Sequence, residues 1–180
     1  MTPQEANKLK AFISTLVDAT PTISTTFPIW KTIKIDKKII KKDLEAKGYK
    51  VSDWVSELLK KVSFRKETLQ LVRLKVSKLG LSDEYPTTQQ IYERIKELGL
   101  ELCPASVAPT LRLEYVNQPM SNWLYVGMEP ISDPGGRPDV FYLSRDADGV
   151  WLRSSWGKPE YKWAPGAGFV FRLPSPRLRK

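Results

Sequence analysis

Residues 99–131, GLELCPASVAPTLRLEYVNQPMSNWLYVGMEPI, separate two parts of the chain that differ in charge and in pattern. Before this stretch lie helical patterns and almost all of the excess positive charge. From Pro104 onward, ten prolines interrupt short alternating runs, which makes further helices unfavourable. We therefore predict an α+β fold: a helix-rich basic N-terminal part with two strands, followed by a C-terminal antiparallel β-meander, as a sheet or small barrel, of about five strands.

The boundaries of the predicted elements follow from capping residues, apolar periodicity and turn residues. Helices are predicted over 3–17, over 37–47 between Asp36 and Gly48, behind a cap at Ser52, and from the capping box of Thr87 and Gln90 to a stop at Gly99. Strands are predicted over 29–35, 69–77, 100–102, 110–116, 122–128, 139–145, 150–155 and 168–173. The helical and basic part covers 1–99, the meander 100–174 and a basic tail 175–180, all within one compact domain.

The net charge of +9 is concentrated in the first part of the chain. Residues 1–80 hold 17 Lys and Arg against 8 Asp and Glu, whereas residues 81–180 hold 12 of each. A basic half beside a neutral half suggests an anionic partner. Well-solvated lysines that confer only solubility would produce the same numbers, and the sequence leaves both interpretations open.

Several kinds of chemistry are disfavoured by composition. The chain has no histidine and a single cysteine, Cys103, which excludes histidine triads, histidine bases and an internal disulfide. Cys103 has no histidine base to activate it and is predicted to be a small packed side chain. No metal or cofactor is predicted, and the sequence favours a non-enzymatic binding protein over an enzyme.

The location of the protein is predicted from what the sequence lacks. No apolar run approaches the roughly 18 residues of a membrane span, and the first residues lack the layout of a signal peptide. We expect a cytoplasmic protein without a membrane partner. Its oligomeric state is left open.

A run of lysines is the first candidate binding site. Five of them are predicted to contact nucleic acid: Lys34, Lys37, Lys38, Lys41 and Lys42. On the predicted helix over 37–47, the last four would occupy adjacent turns of one side, a spacing suited to backbone phosphates. A solvated helix face has the same pattern.

Aromatic and basic side chains of the predicted meander are the second candidate. Alternation places one set on the outward face: Trp123, Tyr125, Tyr142, Trp151 and Arg153, with Arg112 and Arg172. The inward face would carry Leu111, Leu113, Tyr115, Leu124, Val126, Phe141, Leu143, Val150, Leu152, Phe169 and Phe171. Rings interleaved with arginines suit stacking on bases or on a peptide. The alternative is that the amphipathic helices cover this face.

A third pattern concerns metal-dependent cleavage. Asp139, Glu160 and Lys162 resemble the two carboxylates and the lysine of Mg²⁺-dependent nucleases. Glu160, however, follows a run typical of a loop, whereas the pattern requires a neighbouring strand.

Five strings resemble runs that occur in the same order in a group of bacterial hypothetical proteins. They are FPIWKTIKI (27–35), KVSDW (50–54), ELGLELCPA (97–105), LRLEY (111–115) and MEPI (128–131). The likeness covers most of residues 25–173 and implies a shared fold. It implies no activity, because none is attached to the group.

The leading hypothesis is a binding protein of the bacterial cytoplasm that contacts nucleic acid through its lysine-rich face. The second is a protein–protein adaptor that uses the Trp/Tyr sheet face. A Mg²⁺-dependent nuclease is the third.

Overall fold

The computed structural model describes residues 27–175. The predicted helix over 3–17 and residues 176–180 of the predicted tail lie outside the described residues. The helices are α1 (Lys41–Glu45), α2 (Asp53–Lys60), α3 (Thr88–Glu97) and α4 (Val107–Glu114). The strands are β1 (Lys31–Ile35), β2 (Lys50–Val51), β3 (Glu67–Lys75), β4 (Asn122–Val126), β5 (Ile131–Ser132), β6 (Pro138–Asp146), β7 (Gly149–Trp156) and β8 (Gly168–Arg172).

All eight strands belong to one mixed sheet. Its order is β1-β3-β8-β4-β6-β7-β2, with β5 paired to β6. β8 runs parallel to β4, and β2 runs parallel to β7, while the remaining pairs are antiparallel. The predicted arrangement, a helix-rich N-terminal part followed by an antiparallel C-terminal meander, is therefore wrong.

The position of β8 is the reason for this difference. The strand reads Gly168-Phe-Val-Phe-Arg172, and its first four residues are buried. Apolar side chains on both faces suit the centre of a sheet rather than its edge. β8 accordingly inserts between β3 of the N-terminal part and β4 of the C-terminal part. The meander prediction assumed that strands adjacent in sequence pair with one another.

The sheet is buried on one face by helices. Side chains such as Ile33, Leu71, Leu124, Leu143 and Leu152 are buried on this side. Helix α4 packs against β1, β6 and β7, and α2 packs against β7. On the opposite face Phe169 and Phe171 are buried, and Trp163 lies against Phe169 with ring centroids 4.9 Å apart. The rest of that face carries the aromatic residues described below.

Helix α4 occupies the segment that was predicted to be the strand 110–116. The string LRLEY alternates, but the buried residues Val107, Ala108, Leu111 and Arg112 recur at helical spacing. Pro109 is tolerated because it lies in the first turn, where a backbone N–H has no partner within the helix. The strand prediction, and the expectation that no helix follows Pro104, are therefore wrong.

Arg112 consequently points into the core instead of outward from a sheet. It is 0% exposed, and its guanidinium donates to the side-chain oxygen of Gln118 and to the carbonyl oxygens of Tyr115 and Trp151. The ring of Tyr49 lies 5.0 Å from the guanidinium. Burial lowers the pKa of Arg112 to about 10, so it remains protonated at neutral pH. The buried cation ties α4 to β7.

Several local predictions are confirmed. Ser52 caps α2 by accepting from the backbone N–H of Val55 at 3.2 Å. Thr87 and Gln90 form the predicted capping box of α3, with reciprocal bonds of 3.2 and 2.8 Å. Gly99 follows that helix with a φ of +75°, a conformation that favours glycine.

Most predicted bounds are shifted by one or two residues, and two predicted elements differ more. Helix α1 begins at Lys41, four residues later than predicted, because Ile39 is buried in the core and the β-branched pair Ile39-Ile40 favours extended backbone. The predicted strand over 100–102 is reduced to an isolated bridge between Glu101 and Arg172. Within residues 27–175, no helix has both the length and the apolar character that crossing a membrane requires.

Gly127 provides a test of the central packing. Its N–H donates to Val170 of β8, and a Cβ added there would lie 2.1 Å from the buried ring of Phe171. We predict that Gly127→Ala lowers the free energy of unfolding by about 3 kcal/mol, at the upper end for overpacking, because Phe171 has no room to move. Urea denaturation measures this change.

Gly166→Ala is the matched control. A Cβ at Gly166 meets nothing within 4 Å, so we expect a change within about 0.5 kcal/mol. Equal stability of the two variants would contradict the described packing of β8 against Gly127.

Candidate functional site

Two adjacent clefts on the helical side form a surface that we call the cationic groove. Their volumes are about 380 and 370 Å³, and they share Lys38. The groove is lined by Ile35, Asp36, Lys37, Lys38, Ile40, Lys41, Lys42, Glu45, Ser56, Leu59, Lys60, Val62, Phe64, Arg65 and Lys66.

The register of two strands explains why the groove forms. β1 and β3 are antiparallel, and Ile35 at the end of β1 pairs with Glu67 at the start of β3. The chain therefore leaves β1 and enters β3 at the same end of this strand pair. This brings Lys37 and Lys38 close to Arg65 and Lys66, which are distant in sequence.

Charge in the groove is strongly unbalanced. Seven cationic side chains line it, against the two carboxylates of Asp36 and Glu45. Lys41 is bonded to Asp53 at 2.6 Å, which raises the pKa of Lys41 above its ordinary value, and Lys60 pairs with Glu57 at 2.5 Å. Such exposed pairs are weak, so an incoming anion can compete for these lysines.

The structure brings four of the five predicted lysines together. Lys37, Lys38, Lys41 and Lys42 line the cationic groove, but Lys34 does not: it lies within β1 opposite Thr68. Only Lys41 and Lys42 are helical, so the predicted single helix face is wrong for Lys37 and Lys38. Both lie in the irregular segment between β1 and α1.

A second basic run, KKVSFRK at residues 60–66, was not predicted to belong to a binding site. It supplies Lys60, Arg65 and Lys66 to the groove. The density of cations in this run was visible in the sequence. Its position beside the first run depends on the pairing of β1 with β3, which no local pattern indicates.

The second surface is a cavity of about 600 Å³ that we call the aromatic groove. It is lined by Lys75, Tyr85, Ser121, Asn122, Trp123, Tyr125, Tyr161, Lys162, Trp163, Ala164, Gly166 and Ala167. Trp123 is 57% exposed there. Lys75 and Lys162 carry the only charges among these lining residues.

The far wall of the aromatic groove is held by the N-terminus of α3. The indole N–H of the buried Trp163 donates to the hydroxyl of Thr88 at 2.8 Å, and its backbone N–H donates to Pro86. Trp163 in turn lies 4.7 Å from the ring of Tyr125 and 4.8 Å from that of Tyr161. These contacts hold Trp163 in place, whereas Trp123, which lines the same groove, is open to solvent.

Neighbouring strands extend the aromatic groove with the other predicted residues of the sheet face. Tyr125 pairs across the sheet with Tyr142, and Tyr142 pairs with Arg153. Trp123 and Trp151 pair with the same residue of β6, Ser144. All five predicted face residues therefore lie on one side of the sheet, and the guanidinium of Arg153 stacks on Trp151 at 4.4 Å.

Four other face predictions are wrong. Arg112, predicted outward, is in helix α4, as described above. Phe169 pairs in register with Tyr125, so Phe169 and Phe171, predicted inward, lie on the side of the aromatic residues and not on the side of Leu124. Arg172, predicted outward, lies on the opposite side of β8, where it pairs with Glu101 at 2.7 Å. The three errors in β8 follow from its parallel pairing with β4, which the meander prediction did not include.

The tyrosine at the base of the aromatic groove is neutral. Burial raises the pKa of Tyr125 to about 12, and the neighbouring Tyr142 and Tyr161 contribute in the same direction. At physiological pH the groove therefore offers a neutral ring, a hydroxyl and two lysines.

The residues of the predicted nuclease pattern are arranged differently. Asp139 is 1% exposed and its carboxylate accepts from Arg137, Trp54 and Ser154. Glu160 is exposed in the loop before β8. Over residues 27–175, no group of three Asp, Glu or Cys side chains is placed to hold a metal ion.

Cys103 is buried, and its environment disfavours the thiolate. Burial raises the pKa of the Cys103 thiol well above its ordinary value, and a thiol in this state is inert.

Comparisons of this chain with protein-family models, with curated proteins and with solved structures find no match.

Arg137 holds together two buried carboxylates: Asp139, which belonged to the predicted nuclease pattern, and Asp133, which did not. Its guanidinium bonds Asp133 at 3.1 Å and Asp139 at 2.9 Å, and it lies between the rings of Trp54 and Trp156. We predict that Arg137→Ala lowers the free energy of unfolding by about 2–3 kcal/mol, less than for a fully buried pair because water reaches the guanidinium. Urea denaturation at neutral pH measures this loss.

Arg137→Ala combined with Asp133→Asn and Asp139→Asn is the control. The triple variant should be more stable than Arg137→Ala alone, because no buried carboxylate is left without its cation. A triple variant that is less stable would contradict the charge argument.

Proposed function

We propose that the protein binds nucleic acid and that the cationic groove contacts the phosphate backbone. The observation that carries this proposal is the convergence of seven cations on two clefts that share Lys38, against two carboxylates. The cations come from two segments that are distant in sequence. The groove is thus a product of the fold and not only of a lysine-rich run.

The physical basis is counterion release. Nucleic acid carries a condensed layer of cations, and each lysine or arginine that neutralises a phosphate releases counterions into solution. Within residues 27–175, Lys37, Lys38 and Lys66 form no ion pair with a carboxylate, so they need break none before they bind. Val62 and Phe64 also line the groove, and being apolar they do not compete with a phosphate for the cations.

Salt dependence provides the test. We predict that the triple variant Lys37→Gln, Lys38→Gln and Lys66→Gln binds a fluorescent oligonucleotide more than tenfold more weakly than the native chain at about 50 mM salt. The slope of log affinity against log salt concentration should fall by about two to three, roughly one for each lost phosphate contact. Fluorescence anisotropy measures both quantities.

Lys78→Gln, Lys96→Gln and Lys158→Gln together form a control of equal charge change. None of these lysines lines the cationic groove, so the control should retain the native salt slope. If both triple variants lost affinity equally, the loss would come from the lower net charge alone and not from the cationic groove. No binding by the native chain at low salt would overturn the proposal.

A further inference from the structure

We infer that the aromatic groove binds the unpaired bases of a single strand, which makes single-stranded nucleic acid the ligand class of this protein. The inference rests on the proposed function and specifies which form of nucleic acid is bound. It assigns Trp123 as the stacking residue, with Lys75 and Lys162 beside it.

Ring exposure is the first part of the argument. Trp123 presents more than half of its surface to solvent and lines the same cavity as the packed cluster of Trp163, Tyr161 and Tyr125. Exposed aromatic rings in a concave site provide stacking surfaces for bases, because every base has a π-face. The cavity, at about 600 Å³, is large enough for such a ring.

Charge complementarity is the second part. Lys75 and Lys162 line the groove and, among the residues that the structure describes there, no carboxylate faces them. On the neighbouring strands Arg153 is already paired with Asp146 at 2.9 Å, so the two lysines supply the unpaired positive charge of this surface. A single strand of nucleic acid supplies both flat rings and regularly spaced anions, so it is complementary to this surface. An apolar peptide would leave the lysines without partners.

The third part is that a double helix cannot use the aromatic groove. Bases of a double helix are stacked on one another and are reached only at their edges, so they cannot also stack on Trp123. Duplexes would use the cationic groove alone. Single strands would use both grooves.

The two grooves lie at opposite ends of one strand. β3 begins at Glu67, directly after Arg65 and Lys66 of the cationic groove, and ends at Lys75 of the aromatic groove. Eight steps of about 3.3 Å place these ends about 26 Å apart, and the path is longer because the cationic groove lies on the helical side of the sheet and the aromatic groove on the opposite face. A nucleic-acid strand at the stacked spacing of about 3.4 Å per nucleotide therefore needs at least about eight nucleotides to reach both grooves. Affinity should rise steeply only above about eight nucleotides.

The experiment compares oligo(dT) of four, seven and ten nucleotides with a ten-base-pair duplex, using fluorescence anisotropy. We expect Trp123→Ala to weaken binding of the ten-mer about five- to hundredfold, the range for one stacked base, and to leave duplex binding unchanged. Trp123→Phe should restore most of the loss because a ring is retained. Val116→Ala, which removes an apolar side chain that is 60% exposed and lies outside both grooves, should bind like the native chain.

The outcomes separate this inference from the function on which it rests. If the cationic-groove variant weakens binding but single strands and duplexes bind alike and Trp123→Ala has no effect, the inference is wrong and the proposed function stands. If no oligonucleotide binds, both fail. Binding of a proline-rich peptide that depends on Trp123 and is insensitive to salt would overturn the inference in favour of a protein partner.

Discussion

Insertion of β8 between β3 and β4 determines where both grooves lie. It joins the basic N-terminal segment and the aromatic C-terminal segment in one sheet. The close approach of Phe171 to the backbone of Gly127 fixes this pairing. Because β3 is held between β1 and β8, its two ends are fixed in space, and each end adjoins one of the two grooves.

The grooves rely on different physical forces. The cationic groove attracts phosphates over a distance comparable to the Debye length, so it responds to salt and is indifferent to base identity. The aromatic groove acts at contact through ring stacking, which salt hardly alters. A ligand with both charges and exposed bases gains from each force, and the separation of the grooves along β3 makes this gain depend on ligand length.

Local sequence signals identified most elements but not their arrangement. The caps at Ser52 and Thr87 and the stop at Gly99 could be predicted because each depends on residues within one turn. Helix α4 was mistaken for a strand because LRLEY fits period two as well as a helical stripe. The parallel pairing of β8 with β4 depends on long-range packing, which no local pattern encodes.

For the candidate sites, too, residues close in sequence could be predicted, and residues that only the fold brings together could not. Four lysines of the cationic groove were predicted from their density in sequence, and so were the five residues of the sheet face. Lys60, Arg65 and Lys66 were missed because they join the groove only through the register of Ile35 with Glu67. Tyr85, Tyr161 and Trp163 were missed because the loop before β8 reaches the aromatic groove by packing on the N-terminus of α3.

An NMR titration of the full chain with single-stranded oligo(dT) of ten nucleotides shows whether one ligand occupies both grooves. We expect chemical-shift changes in two places at the same ligand concentration: the backbone of 36–42 and 60–66, and the indole N–H of Trp123. Changes confined to other surfaces, or no changes at a salt concentration of about 50 mM where phosphate contacts are strong, would rule out binding of a single strand by the two grooves.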